Sequence, residues 1–526
     1  MEPPPGITRR RFVALSAVGA TGLALSACGG SSPAPAPPLA TTETDTSAPE
    51  GTETRATTGD TGASDARGTL PMPEVLSSSN GLLEVELTAA AAMVPWKSGS
   101  RYAYTYNGGT PGPTLRLRPG DRLVIHLTNG LDADTNLHTH GLYVSPEGNA
   151  DNVFLSVGPG QTQTYEYEIP TDHRSGLFWY HPHRHGTVAD QVAAGLAGAI
   201  VVEDELDRVA EIADSVERIW VLSDPPIGDG PSDLAVDRMD LVMGREGPEP
   251  LVNGIASPTV EVRAGTRERW RLLNACSSRY FRLAVDGHEM TVLATDGGRL
   301  AAPLVASEVL LAPGERVEIL LTPSVAGEYA VRSLGYDRIR GPMGDLGGMG
   351  GSMMGSGLGT ADEVELATMV VSGDATPATP PSRLADEASL NLPEPTASRT
   401  LELGMGMGMS QRMQGQGGMV TFTIDGREFD AFRTDIRSAL GEVEDWTILN
   451  PTGMDHPFHL HVWNFQVLEG TQWAGTPAWK DTVNVPAGGR VRFRVPIGGI
   501  DGRTVYHCHI LDHEDGGMMG VIEVDR

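Results

Sequence analysis

Beyond about residue 70 the chain is a succession of short segments in which Val, Leu, Ile and Thr alternate with polar residues, each segment broken by Gly and Pro. Such alternation marks strands with one buried and one wet face, and many of them with turn residues between predict antiparallel strands stacked as sandwiches. Residues 113–129 (PTLRLRPGDRLVIHLTN) recur at 258–274 as PTVEVRAGTRERWRLLN, and a weaker third copy ends at Asn450 in the run WTILN. Each copy is followed by a Pro/Gly turn and a charged alternating strand: Pro159-Gly160-Gln161, Pro313-Gly314-Glu315 and Pro486-Ala487-Gly488-Gly489. The repeat predicts three similar β domains in succession, at 71–205, 206–385 and 386–526.

The 526 residues have room for three domains, and 40% hydrophobic residues can bury their cores. With 39 Lys+Arg against 68 Asp+Glu the formal charge is -29, which excludes nucleic acid as a partner and tolerates cations. The first residues stand apart. Arg9-Arg10-Arg11-Phe12 precede an apolar run at 13–27 that is too short to span a membrane, which reads as an export signal similar to the twin-arginine (Tat) type. Leu25-Ser26-Ala27-Cys28-Gly29 resembles a lipobox, so 1–28 is expected to be a leader, with Cys28 lipidated as the membrane anchor of an extracytoplasmic (periplasmic or cell-surface) protein. Residues 29–70, rich in Pro, Thr, Ala, Gly and Ser, are expected to be a tether. Only Cys28, Cys276 and Cys508 occur, so no disulfide framework is expected, and Cys276 reads as a small buried apolar side chain.

Counting from the shared asparagine aligns the histidines: His138 and His459 lie nine residues after Asn129 and Asn450, and His140 and His461 then coincide as well. At the same offsets the middle copy has Leu283 and Val285. The closing strand behaves alike, because residues 176–183 (GLFWYHPH) match 502–509 (GRTVYHCH), with Arg332 and Leu334 at the two histidine positions of the middle copy. The first and third copies thus carry two His-x-His pairs each. The second is expected to be a structural spacer.

Side chains at i and i+2 of a strand leave the same face with Cα atoms about 6.6 Å apart. One ion bonded at about 2 Å cannot easily take both rings, so each pair suits two neighbouring ions. The eight imidazoles of His138, His140, His181, His183, His459, His461, His507 and His509 can furnish three ions with two or three nitrogens each. Imidazole alone does not choose among copper, zinc, iron and nickel. The closing run YHCHILDHEDGGMMG does, because Cys508, His456, His513 and Met518 make the thiolate, imidazole and weak thioether set of a blue copper centre. The first copy has Pro182, Thr135, Thr187 and Val192 at those positions, so the blue site occurs once. His507 and His509 alternate with Cys508 and face a second metal site. His126, His173, His185 and His288 read as ordinary surface or core residues.

The motifs HTHG, HPHRHG, HPFHLH and HCHILDHEDGGMM stand in this order, and from about residue 75 onward the chain resembles the three-domain multicopper oxidases, of the laccase-like or cuprous oxidase (copper efflux oxidase) type. The resemblance implies an all-β fold of three consecutive cupredoxin-like Greek-key β-sandwiches and four copper ions. It assigns His456, Cys508, His513 and Met518 to the type 1 copper and His138 and His459 to the type 2 copper. His140, His181, His183, His461, His507 and His509 go to the type 3 pair. It further implies dioxygen as the acceptor, with electrons passing from Cys508 through His507 and His509, and Glu514 and Asp151 delivering protons. For Asp151 the competing reading is a surface turn carboxylate.

Two Gly/Met tracts bear on the donor: Met343, Met349, Met353 and Met354, and Met405, Met407, Met409, Met413 and Met419. Gly-rich sequence cannot build a core helix, so the tracts are either low-complexity loops or thioethers that collect Cu(I) beside the type 1 copper. Similar segments occur in the family's cuprous oxidases. The expected activity is oxidation of Cu(I) for copper tolerance, with small organic one-electron donors as accessory substrates. The alternatives are a phenol, amine or Mn(II) oxidase with the tracts as spacers, a copper nitrite reductase, or a non-catalytic copper store.

Overall fold

The computed structural model describes residues 68–97, 99–203, 209–230, 236–339, 360–384, 391–407 and 420–526. The expected leader, Cys28 and most of the expected tether lie outside them. Gly68 and Leu70 already pair with Thr259, and Leu70 is buried, so the chain is seated before residue 71. No helix among the described residues is long and apolar enough to cross a membrane.

Three pairs of facing sheets follow one another along the chain. The first pair has four and five strands, the second six and five, the third six and five. Alternation foretold the strands but not their directions. Three pairings are parallel in the first repeat and two in each of the others, such as Leu82–Trp96 with Arg122–Gly130, Val216–Ser223 with Glu268–Asn274, and Ala397–Met407 with Val443–Leu449. A period of two reports which face is buried and is silent on strand direction, so the antiparallel expectation holds only for the remaining ladders.

The asparagine that ends each repeated strand is a buried clamp. Asn129 Nδ2 donates to the carbonyls of Ala133 and Val157, Asn274 Nδ2 to those of Arg279 and Leu311, and Asn450 Nδ2 to those of Met454 and Val485. Its Oδ1 accepts the N–H two residues on, from Leu131, Cys276 and Thr452. Its backbone meets the Pro/Gly turn, through Gly160 in the first repeat, Gly314 in the second and Gly489 in the third. A side chain that satisfies three buried backbone groups fixes where the strand ends, and so sets the offset of the histidines downstream.

The middle copy departs from its expected alignment. In the outer repeats His138 lies opposite His181 and His459 opposite His507. Leu283 instead lies opposite Ser333, one residue out of the expected alignment. With that offset of one, Ser333 is buried and Arg332 turns outward onto Asp286 and Glu363. Ser333, rather than Arg332, stands at the histidine position.

One apolar core fills the first sandwich, and a second runs continuously through the middle and third. A smaller cluster around Trp179, Val201, Ile219 and Leu273 joins first to middle. Between first and third the apolar contacts are few, centred on Val153 with Val505 and on Val188 with Leu511. The eight buried imidazoles meet at that seam.

Candidate metal centre

The strand His138–His140 pairs with Gly176–His181, and His456–Leu460 with Gly502–Cys508, so each ladder carries its histidines toward the seam. All eight rings are buried there. They sort into overlapping groups: His138 with His140 and His459; His140 with His181 and His509; His183 with His461 and His507. Three of the four His-x-His pairs are divided between groups, and of the fourth, His138 and His140 share one group while His140 also belongs to a second.

One nitrogen of most rings is anchored and the other is left over. His138 Nδ1 donates to Asp151 at 2.9 Å, His459 Nδ1 to the Asp481 carbonyl at 2.9 Å, and His181 Nδ1 to the Pro182 carbonyl at 2.8 Å. Their Nε2 atoms are buried without a hydrogen-bond partner. His140 is held the other way, with Nε2 on Asp481 Oδ1 at 3.1 Å and Nδ1 unpartnered. The Nε2 atoms of His183, His461 and His507 lie 3.1 Å from one another, a triangle in which three hydrogen bonds cannot all form. Nitrogens bonded to one ion at about 2.0 Å in tetrahedral array would stand about 3.3 Å apart, so the triangle is the size of a coordination shell.

Burial, reinforced by neighbouring rings, pushes His140, His181, His183, His459, His461 and His509 well below the usual histidine range, and burial takes His507 down to about 3. These rings are neutral and their lone pairs are available. A dry cage of neutral imidazoles is a cation site.

The fourth group holds Cys508, His456 and His513. Cys508 Sγ lies 3.4 Å from His456 Nδ1 and 3.8 Å from His513 Nδ1, and the two nitrogens are 3.3 Å apart. The outer nitrogens are fixed by Thr452 Oγ1 at 2.9 Å and by the Val242 carbonyl at 3.0 Å. Met518 is buried, and its carbonyl accepts the Cys508 N–H at 3.0 Å. Burial raises the Cys508 thiol far above its ordinary range, so a bound cation is what would make it a thiolate. This His₂Cys set with a nearby Met fits copper.

Asp151 is no surface turn carboxylate. It is buried, and besides His138 it accepts from Thr139 N at 2.8 Å and Thr139 Oγ1 at 3.1 Å. Glu514 is fully buried between two rings, 3.1 Å from His507 Nδ1 and 3.5 Å from His183 Nδ1, yet hydrogen-bonded to neither because His507 Nδ1 is directed at the Cys508 carbonyl. Burial, with Asp515 alongside, holds its carboxyl protonated well above the usual range.

Three contributors were not read from the sequence. Asp481 lies between His140 and His459, Arg316 of the middle sandwich grips Asp481 at 2.6 and 2.7 Å, and Val242 caps His513. The last two belong to the copy expected to be a spacer, which the structure corrects. Phe422 also stacks on His513, with centroids 4.2 Å apart. Of the methionine tracts, Met343, Met349, Met353, Met354, Met409, Met413 and Met419 lie outside the described residues. Met405 and Met407 end the strand Ala397–Met407, where Met405 pairs with Phe422, so this part of the tract is strand rather than loop. The four remaining histidines stay outside every group.

Sequence profiles of the multicopper oxidases match residues 88–207, 235–344 and 399–526. A multicopper oxidase of Staphylococcus haemolyticus is 29% identical over 88% of this chain and 94% of its own length. The laccase of Bacillus subtilis is 24% identical over 86% and 97%. The solved structure of the Campylobacter jejuni multicopper oxidase, described as a metallo-oxidase, superposes with a TM-score of 0.71 at 30% identity, over 87% of this chain and 96% of that one. With paired sheets in triplicate, four buried donor sets of which one is built on a cysteine, and these likenesses, the chain belongs to the multicopper oxidases, copper-dependent oxidoreductases of cupredoxin-like fold.

Proposed function

We propose that this chain oxidises Cu(I) at a type 1 copper and reduces dioxygen to water at a three-copper cluster. The observation that carries this is the alternation at Cys508, whose thiol belongs to one donor set while His507 and His509 belong to two others. Four bound copper ions would store the four electrons that dioxygen takes, one from each donor. By the family pattern His456, Cys508, His513 and Met518 hold the type 1 ion, and His138 and His459 the type 2 ion. His140, His181 and His509 hold one type 3 ion, and His183, His461 and His507 the other. The protein's own contribution is a covalent path of two residues between the sites, and two acids placed for protons. Glu514 stores a proton beside His183 and His507, and Asp151, which accepts the hydrogen bond of His138 Nδ1, stands where it can pass protons toward the cluster.

Two features favour a metal ion over a phenol as donor. The His513 ring is covered by Phe422 and the Val242 carbonyl, which leaves little room for a planar organic donor to stack on it. The strand Ala397–Met407 pairs with the strand of Phe422, and Met405 stands directly opposite Phe422, which brings a soft thioether residue next to the ring that stacks on His513. Excision of 343–354 and 408–419, with Met405 and Met407 changed to Leu, should depress Cu(I) oxidation far more than phenol oxidation. Equal loss on both donors contradicts the copper role. Export and lipid anchoring at Cys28 complete the reading, on the strength of the leader sequence alone.

A further inference from the structure

The middle sandwich carries no member of the four donor sets, yet its Pro313-Gly314-Glu315-Arg316 turn reaches the cluster. Arg316 is fully buried and uses all five of its N–H donors. Nε donates to Leu177 O of the first sandwich at 3.0 Å. Within the middle one, Nη1 donates to Gly314 O and Nη2 to Asp296 O, each at 3.0 Å. The other two N–H groups form a fork on Asp481 of the third, at 2.7 and 2.6 Å.

Asp481 is the joint support of two rings that the family pattern gives to different ions. Its Oδ1 accepts from His140 Nε2 at 3.1 Å and its carbonyl from His459 Nδ1 at 2.9 Å, while Thr482 Oγ1 lies 3.2 Å from both ring nitrogens. The two rings stack with centroids 3.8 Å apart and planes at 16°. The adjacent cation cannot substitute for Arg316, because Lys480 is engaged by Asp296 and Glu315, each at 2.9 Å. Gly314 completes the wall: at φ +82 it lies so close to His509 that a Cβ would meet ring atoms at 2.9 and 3.0 Å.

We propose that Arg316 is a positioning residue of the trinuclear site, acting through Asp481 to fix which nitrogens of His140 and His459 face the metals. A carboxylate gripped by a guanidinium fork is an acceptor only. It therefore places the proton of His140 on Nε2 and leaves Nδ1 for an ion, and the Asp481 backbone does the converse for His459. The middle repeat has lost its own ligands but sets the tautomers and spacing of those its neighbours supply. The proposal rests on the ligand assignment given above.

The test compares Arg316→Met and Arg316→Lys with the parent, as full chains titrated with copper and followed by metal content and electron paramagnetic resonance. Lysine keeps the charge but cannot form the fork, so both variants should retain the blue site and lose 10- to 100-fold in affinity for cluster copper, the usual effect of removing an outer partner. The type 2 resonance should change in both. If Arg316→Met does not fold, Arg316→Lys decides alone. Parent-like cluster affinity and an unchanged type 2 signal in the lysine variant overturn the proposal. His140→Ala is run in parallel: if it too keeps every cluster copper, the ligand assignment is what fails.

Discussion

His459 lies directly opposite His507 on paired strands, just as His138 lies opposite His181 in the first sandwich. The third copy differs in having Cys508 where the first has Pro182, and that difference connects a second site to the shared one. Cys508 occupies its own donor set while its neighbours occupy others, so removing the thiol should uncouple the sites without emptying both. Cys508→Ser is expected to lose the blue absorption and one copper, keep three, and fall at least about 100-fold in turnover with every donor. Metal analysis together with oxygen uptake checks this.

Glu514 is buried and protonated beside His183 and His507. Glu514→Gln preserves its shape and removes the exchangeable acid. Reduction of the blue copper by donor under anaerobic conditions should be unchanged, while turnover with dioxygen drops about 10²-fold or more. Rapid-mixing kinetics separates the two steps. Asp151→Asn should show the same split, accompanied by weaker copper binding, because Asp151 also anchors His138.

The copper-free protein should be sensitive to acid. His140, His181, His183, His456, His459, His461 and His509 are pushed down in the fold, and His507 and His513 lie at about 3. The unfolded chain binds protons at these sites near pH ~6.5, so it holds more protons than the folded chain below that value. Stability is therefore fully present above pH ~6.5 and falls progressively as pH drops toward 3. Melting of the apo-protein across this window should show a steep decline. A flat profile between pH 7 and 5 contradicts neutral buried rings. Bound copper should raise the melting temperature at every pH in that range.

The three sandwiches, the eight cluster histidines and the cysteine set were legible because each depends on local spacing within a repeated strand. Asn129, Asn274 and Asn450 made the offsets countable, and the clamp they form explains why the count works. The middle copy's register was not legible, since an offset of one between two paired strands leaves the alternation within each strand intact. Nor were Asp481, Arg316 and Val242, whose partners lie far away in sequence: Arg316 is 165 residues from Asp481, and Val242 is 271 from His513. A charged residue in a Pro/Gly turn looks like a solvated one until the fold brings three sandwiches around it.

Two kinds of site, joined at Cys508, are proposed to deliver four electrons to one dioxygen. Simultaneous measurement of donor oxidised, dioxygen consumed and hydrogen peroxide formed by the fully copper-loaded protein tests it most directly. The expected result is four one-electron donors per dioxygen, no peroxide, and four coppers per chain. Two donors per dioxygen with peroxide released, or only two coppers bound, would contradict it.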